Sequence, residues 1–216
     1  RAAMDHLGEL RLGYVGSALY SVVPPTIQAL RALSPNLQVR LTESKTSEQL
    51  EAMRDDRLDA GFIKEPRTPI PGFHVTPVLT ETVGIALPSH HRLVDQRAVA
   101  LAHLVTDDFV IFPRASEPDT FDTLMGACAT HGFNPTIAHT ATSLQTVLGL
   151  VASGMGVAFV AESVMTTSHL AGVAFRSLVP PTPNLTTALA RRTDNDNPSI
   201  ELLVEATRIA CAELPR

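Results

Sequence analysis

Several protein classes are excluded by what the sequence has little of. Its 216 residues include no tryptophan, 5% aromatic residues and two cysteines, Cys128 and Cys211. So few aromatic side chains argue against a stacking platform for single-stranded nucleic acid. Two cysteines far apart in sequence do not indicate a disulfide framework, so we expect a reducing compartment. No apolar run approaches the ~20 residues of a membrane span.

An excess of basic charge is also absent. The chain has 17 Lys and Arg against 22 Asp and Glu, a formal net charge of -5. Because contacts from basic side chains to phosphates supply most of the affinity for duplex DNA, we do not expect this chain to bind DNA by itself. The sequence does have 44% hydrophobic and 18% charged residues. That composition is typical of a folded domain rather than a disordered one.

The first half predicts a parallel sheet. Polar and apolar residues alternate over residues 9–15 and 37–43, and a short apolar strand follows at 59–63. Helical spacing of apolar residues lies between them, at 22–32 and 46–57. A strand–helix–strand–helix–strand order requires crossover helices between parallel strands.

The second half of the chain predicts another unit with the same order of strands and helices. We predict two separate strands at 73–79 and 82–87, then a second alternating unit whose strands lie at 110–112, 136–140 and 156–160. Its helices are expected to begin at Asp119 or Thr120 and at Ser143, each acting as an N-cap. A last strand at 186–191 and a helix that begins with Pro198, capped by Asn197, have no partner of their own.

Metal binding has no support in the residue spacing. None of the eight histidines pairs with another at helical spacing beside a Glu base, and the cysteines lack zinc spacing. His90 and His91 follow Pro88 in a predicted loop, where a solvated pair is expected. We therefore expect no metal site.

Catalysis has no positive support either. Gly154-Met155-Gly156 follows a helix, whereas a nucleophile elbow and a dinucleotide fingerprint both require a preceding strand. The carboxylate pairs at 55–56 and 107–108 end predicted elements and are expected to be solvated. We expect no catalytic residue, no cofactor and no enzymatic activity.

One set of polar residues remains. Ser17, Thr46, Thr120 and Ser143 each lie between the carboxyl end of a predicted strand and the following helix. Ligands of open α/β sheets bind at that place, and helix N-termini favour carboxylate or phosphate groups. Each residue could instead only cap its own helix, so both interpretations stay open.

Short motifs along the chain resemble those of one family. The opening stretches 8–13 (GELRLG) and 33–37 (LSPNL), the stretch 57–61 (RLDAG) and the late stretch 150–159 (LVASGMGVAF) occur in a fixed order. Together they resemble the effector-binding domain of LysR-type transcriptional regulators over essentially the whole chain.

The resemblance implies a fold and an assembly. The implied fold is α/β, with two Rossmann-like subdomains around a hinge, like the type 2 periplasmic binding proteins. Residues 1–88 with 186–216 would form one subdomain and residues 89–185 the other. A winged helix-turn-helix would precede Arg1 and supply the contact with DNA. The family also implies a dimer or tetramer in the cytoplasm, with no membrane contact.

The resemblance also implies a site. It is strongest to regulators of aromatic-compound degradation that sense muconate or benzoate, in which a small carboxylate effector binds the cleft between the subdomains. Ser17 and Thr46 would meet the carboxylate, while Phe121 and Leu144 would line the other wall. Lys64 matches a position that is often basic, and a solvated lysine there is an equal alternative. The expected effector-binding residues are Ser17, Ala18, Thr46, Lys64, Thr120, Phe121, Ser143, Leu144 and Phe159. A solute-binding protein of a transporter with the same fold remains an alternative.

Overall fold

A computed structural model of the chain describes residues 8–214. These residues form two compact units, one of residues 8–80 with 186–214 and one of residues 81–185. The expected domain ahead of Arg1, and residues 1–7 and 215–216 of the first predicted subdomain, lie outside the described residues.

The first unit is built on a mostly parallel sheet. Its strands are β1 (Glu9–Tyr14), β2 (Gln38–Glu43), β3 (Ala60–Lys64), the first half of β4 (Phe73–Pro88) and most of β10 (Asn184–Arg192), in the order β2-β1-β3-β10-β4. Strand β1 pairs in parallel with β2 and β3, and β10 runs antiparallel to β3. The carboxyl ends of β1, β2 and β3 therefore lie at one edge of this sheet.

Three helices cover the first sheet. They are α1 (Val23–Leu33), α2 (Thr46–Arg54) and α6 (Ser199–Glu213). Helix α1 has prolines only in its first turn, where a missing backbone N–H costs no helical hydrogen bond. Helix α6 packs on α1, and Leu203 lies in the same fully buried core as Leu12 and Phe62. The last strand and helix, which had no partner in the sequence, thus complete the first unit.

The second unit has shorter strands and its own core. Its further elements are β5 (Ala98–Val99), β6 (Asp108–Ile111), α3 (Pro118–Thr130), β7 (Thr136–Thr140), α4 (Leu144–Ala152), β8 (Ala158–Ala161), α5 (Glu162–Thr167) and β9 (Val173–Leu178). Strand β4 pairs antiparallel with β8 and β9, and β6 pairs in parallel with β7. The core includes Phe109, whose ring centre lies 5.4 Å from that of Phe159 and 6.4 Å from that of Phe133.

Two glycines shape the turn from α4 into β8. Gly154, with φ of +77°, ends the helix as the sequence predicts. Gly156 has φ of +145°, and a Cβ added there would lie 2.6 Å from the carbonyl oxygen of Asp108. The neighbouring Val157 N–H donates to that oxygen at 2.8 Å. Only a residue without a side chain allows β8 to approach β6 this closely.

At the amino ends of the first-unit strands, a buried carboxylate joins three elements. Asp59 accepts hydrogen bonds from the Arg11 backbone at 2.7 Å and from its guanidinium at 2.8 and 3.1 Å. Asn195 donates to the Asp59 carbonyl at 2.9 Å, and Asn197 accepts from the Ser199 N–H at 2.9 Å at the start of α6. Burial alone would raise the pKa of Asp59, but the hydrogen bonds from Arg11 and Asn197 bring that pKa below its ordinary value.

The chain passes between the units inside continuous strands. We predicted two strands at 73–79 and 82–87, but β4 is a single 16-residue strand. The division between the units falls after Thr80, within β4, and again after Leu185, within β10. The predicted boundary at residue 88 coincides with the end of β4 and stays a prediction.

Two surface predictions were wrong. His91 is not a solvated loop residue: its Nε2 lies 3.0 Å from Oδ1 of Asp107, and the side chains are 11% and 16% exposed. Arg92 donates to the other Asp107 oxygen at 2.7 Å. Asp107 is thus the anchor of this loop, and of the predicted pair 107–108 only Asp108 is exposed.

Candidate functional site

Several of the expected effector-binding residues lie in the first unit, at the edge where β1, β2 and β3 end. Ser17 follows β1 in a short 3-10 helix, Gly16–Tyr20, and is partly buried. Its neighbour Ala18 is fully buried in the first core. The Ala18 methyl therefore packs inside the unit, while Ser17 is partly exposed and its ligand contact stays a prediction.

Thr46 and Lys64 are in direct contact. Thr46 is the first residue of α2, and its Oγ1 accepts a hydrogen bond from the Lys64 backbone N–H at 3.1 Å. We predicted that Thr46 would cap α2, but the cap position belongs to Lys45, whose N–H donates to the Glu48 side chain at 3.2 Å. The Thr46 hydroxyl is instead directed to the end of β3.

The Lys64 ammonium is held at the same end of β3. Its Nζ donates to Oγ1 of Thr187 at 3.3 Å, and Thr187 is the register partner of Lys64 on β10. Thr187 is 1% exposed, whereas Lys64 is only partly buried. This edge of the first unit therefore combines the Lys64 ammonium with hydroxyls, which is a donor set suited to a carboxylate.

A fully buried side chain behind this edge was not predicted from the sequence. Gln49 of α2 donates from Nε2 to the carbonyl oxygens of Ser44 at 2.8 Å and Phe62 at 3.2 Å. The available signal was a glycine inside each of two strands, Gly13 and Gly61, because an interior glycine often marks a close approach by another group.

In the second unit, Ser143 is the N-cap of α4, as predicted. Its Oγ accepts a hydrogen bond from the Thr146 N–H at 3.2 Å and lies 2.9 Å from the Thr146 hydroxyl. Leu144, the first residue of the helix, is 4% exposed. The cap contact alone accounts for the position of Ser143, and the effector contact there stays a prediction.

The predicted caps of α3 were wrong. The cap position belongs to Glu117, and the helix begins at Pro118 because proline is favoured in a first turn. Thr120 thus lies inside that turn. Phe121 is half-buried against the second core, and Phe159 is 8% exposed within that core. Phe159 is therefore mostly packed against other residues of the second core.

Within residues 8–214, no group of three or more His, Cys, Asp and Glu side chains could hold a metal ion. None of the helices described there is both long and apolar enough to cross a bilayer.

Two α/β units, with polar side chains at the carboxyl ends of parallel strands, define a class of ligand-binding domain. The chain belongs to one family of that class, the LysR substrate binding domain, whose family model matches residues 5–212. The family resemblance predicted from the motifs is confirmed.

Curated relatives of the chain are transcriptional regulators, not enzymes. The chain is 29% identical over 201 residues to the regulator AlsR of Bacillus subtilis, covering 93% of this chain and 66% of AlsR. It is 31% identical over 156 residues to BenM of Acinetobacter baylyi, covering 71% of this chain and 51% of BenM. The chain thus spans about half to two thirds of the length of these relatives.

A solved structure supports the fold. The BenM effector binding domain with its effector benzoate superposes with a TM-score of 0.81 at 28% identity, covering 95% of this chain and 92% of that one. This likeness confirms the predicted α/β fold like that of the type 2 periplasmic binding proteins. Family membership also favours a regulator domain over the transporter alternative.

Proposed function

We propose that this effector-binding domain senses a small carboxylate, an aromatic acid or a muconate-like metabolite, and controls transcription through it. The observation that carries the proposal is the set of Thr46, Lys64 and Ser17 at the carboxyl edge of the first sheet. The similar BenM domain, whose effector is benzoate, supports the same ligand class.

The chemistry of this edge suits one carboxylate group of a ligand. A lysine ammonium is a compact point charge with three N–H donors, and that of Lys64 donates to Thr187. A hydroxyl group both donates and accepts hydrogen bonds, so Ser17 and Thr46 carry the kind of group that binds a carboxylate. A ligand carboxylate would then take charge-assisted hydrogen bonds from the ammonium and further ones from the hydroxyls.

The second-unit residues are proposed as an apolar contact for the rest of the effector. Phe121 is half-buried and keeps part of its ring accessible, which suits an aromatic or conjugated ligand. The family resemblance alone supports the remaining proposed contacts, which are Leu144, Phe159, Thr120 and Ser143. It is also the only support for Ala18 in the first unit, because the Ala18 methyl is buried.

The proposed regulatory step is a shift between conformations of the protein. An effector can shift such an equilibrium only as far as its affinities for the two conformations differ. We propose that the shift reaches DNA through a winged helix-turn-helix outside this chain, in a cytoplasmic dimer or tetramer. The relatives that extend beyond this chain support this, since they are named as transcriptional regulators.

Calorimetry tests the proposal. Benzoate and cis,cis-muconate are titrated into the wild-type chain and into Ser17→Ala and Thr46→Val. Exposed neighbours in the same unit, Ser47→Ala and Thr42→Val, are the matched controls. We expect each site variant to lose roughly tenfold or more in affinity, because each removes a hydrogen bond to a charged group. Unchanged affinity in both site variants would mean that the carboxylate is bound elsewhere.

A further inference from the structure

The α2 glutamine that lies behind the candidate site has an unusual environment. Gln49 is 0% exposed, and its Oε1 has no hydrogen-bond partner among the described residues. The amide orientation is defined by its neighbours: the end that faces the carbonyl oxygens of Ser44 and Phe62 must be the donor NH2. The oxygen therefore points toward the sheet.

The sheet makes room for that oxygen with two glycines. A Cβ added to Gly61 would lie 2.1 Å from Oε1 of Gln49, and one added to Gly13 would lie 2.7 Å from it. Both distances are far below van der Waals contact, so any larger residue at either position would displace the side chain. The glycines of β1 and β3 and the glutamine of α2 thus form one interlocking slot, which we call the Gln49 slot.

Stability alone does not explain a glutamine in the Gln49 slot. A buried amide oxygen without a partner costs stability, and an apolar side chain of similar length would avoid that cost. An apolar side chain could not, however, hold the carbonyl oxygens of Ser44 and Phe62 together. These two carbonyls belong to the loop before α2 and to the last part of β3.

That connection lies close to the Thr46–Lys64 hydrogen bond along both segments of the chain. Ser44 precedes Thr46 by two residues, and Phe62 precedes Lys64 by two residues. The Thr46–Lys64 hydrogen bond of 3.1 Å links the start of α2 to the end of β3, and the Gln49 side chain links the same two segments through Ser44 and Phe62. Lys64 lies past the end of the β1 pairing, where Tyr14 is the last β1 residue opposite β3. The first residue of α2 therefore supplies an acceptor for the Lys64 N–H at a point that the β1 pairing does not reach.

We propose that Gln49 is a positioning residue of the candidate site: through the Gln49 slot it fixes the Ser44–Thr46 loop against β3 and so sets the place of the Thr46 hydroxyl. The consequence for effector binding rests on the proposed function, whereas the positioning itself does not. Gln49 acts through Thr46 and does not need to touch the ligand.

The first experiment needs no ligand. Amide hydrogen exchange is measured in the wild-type chain, in Gln49→Met and in Gln28→Met, which makes the same change at an exposed glutamine of α1. Leu203 in the first core reports global opening. In Gln49→Met we expect the exchange rate of the Lys64 amide to rise relative to wild type. This rise should be at least about ten times the rise at the Leu203 amide, since the Lys64 N–H loses its Thr46 acceptor. An increase at Lys64 no larger than that at Leu203 would overturn the proposal.

A second variant separates positioning from space filling. Gln49→Ala combined with Gly61→Ala refills part of the slot with a methyl group but restores no donor. We expect this double variant to be more stable than Gly61→Ala alone. Its Lys64 amide should nevertheless exchange as fast as that of Gln49→Met. Slow exchange at Lys64 in the pair would show that filled volume, not the amide, positions the loop. Failure of both Gln49→Met and the pair to fold would make Gln49 a folding determinant and overturn the proposal as well.

The ligand experiment then uses benzoate as the probe. We expect affinity to fall about tenfold in Gln49→Met and to stay at the wild-type value in Gln28→Met, with Gln49→Met still folded at the assay temperature. If wild-type protein binds neither benzoate nor cis,cis-muconate, the proposed ligand class fails, while the exchange measurement still decides the role of Gln49. Unchanged benzoate affinity in Gln49→Met, together with reduced affinity in Thr46→Val, would contradict the positioning role.

Discussion

The hydroxyl of Thr46 accepts a hydrogen bond from the backbone N–H of Lys64 at 3.1 Å. The contact links the first residue of α2 to the last residue of β3. It places a hydroxyl and an ammonium-bearing residue at one edge of the first sheet. The structural role of Thr46 and its proposed ligand role thus depend on the same oxygen.

Removing this hydroxyl is expected to weaken both roles. Thr46→Val keeps the shape of the side chain but leaves the Lys64 N–H without its acceptor, so we expect a loss of about 1–2 kcal/mol in the free energy of unfolding. Thr46→Ser keeps the oxygen and should stay within ~0.5 kcal/mol of wild type. Urea denaturation of the three proteins measures the difference. Equal stability of the valine and serine variants would mean that the contact contributes nothing.

Acid should destabilise the chain partly through Asp59. Because its pKa in the folded state lies below that of the unfolded state, Asp59 contributes stability that is fully present above the unfolded pKa of about 4. That stability is lost as the pH falls through the folded pKa.

Asp59→Asn should lower stability at pH 7 by about 2 kcal/mol, because it weakens the Arg11 contacts. The Arg11 side chain is 38% exposed, so solvent screening keeps the loss moderate. Denaturation curves between pH 3 and pH 7 are the measurement, with the exposed Asp108→Asn as control. Wild type and Asp59→Asn should converge toward low pH; a constant difference across this range would contradict the assignment.

The two cysteines should react very differently. Burial raises the pKa of the Cys128 thiol to about 11, and its side chain is 0% exposed. Burial also raises the pKa of Cys211, which is only partly buried. At pH 8 we expect a thiol reagent to modify Cys211 slowly and Cys128 only after unfolding, since the thiolate is the reactive form. Mass spectrometry of native and urea-unfolded protein, with Cys211→Ser as control, identifies the modified residue, and rapid native labelling of Cys128 would contradict this structure.

Two substitutions, one at the start of α4 and one at the start of α3, test which residue acts as an N-cap. Ser143→Ala removes the acceptor for the Thr146 N–H and should cost about 1 kcal/mol. Thr120→Ala lies inside the first turn of α3 and should change stability by less than ~0.5 kcal/mol. Thermal unfolding of both variants gives the comparison. A larger loss for Thr120→Ala than for Ser143→Ala would reverse the assignment of the two residues.

Local patterns predicted most of the fold. The strands predicted at 9–15 and 136–140 correspond to β1 and β7, and the Ser143 cap and the Gly154 stop of α4 are both confirmed. These features depend on neighbours within a few residues, so the sequence contains them directly. The short strands β5 and β9 were not predicted, because their pairing with distant segments gives no comparable local signal.

The site depended more on distant contacts. Thr46 was correctly placed at the start of α2, but its hydrogen bond joins residues 18 positions apart, which no cap rule anticipates. The Lys64 contact with Thr187 spans 123 positions. His91 and Asp107 look like separate surface residues in sequence and meet only in the folded unit. Gln49 was missed because its partners are backbone carbonyls, which the sequence does not reveal.

The central claim is that a small carboxylate binds at the carboxyl edge of the first sheet. Its most direct test is an NMR titration of the wild-type chain with benzoate, followed by cis,cis-muconate, that records backbone amide shifts. We expect saturable shifts at Ser17, Thr46 and Lys64, with none at Arg11 and Asp59, which lie at the opposite ends of the same strands. Shifts confined to the amino ends of these strands, or the absence of saturable shifts with either acid, would contradict the claim.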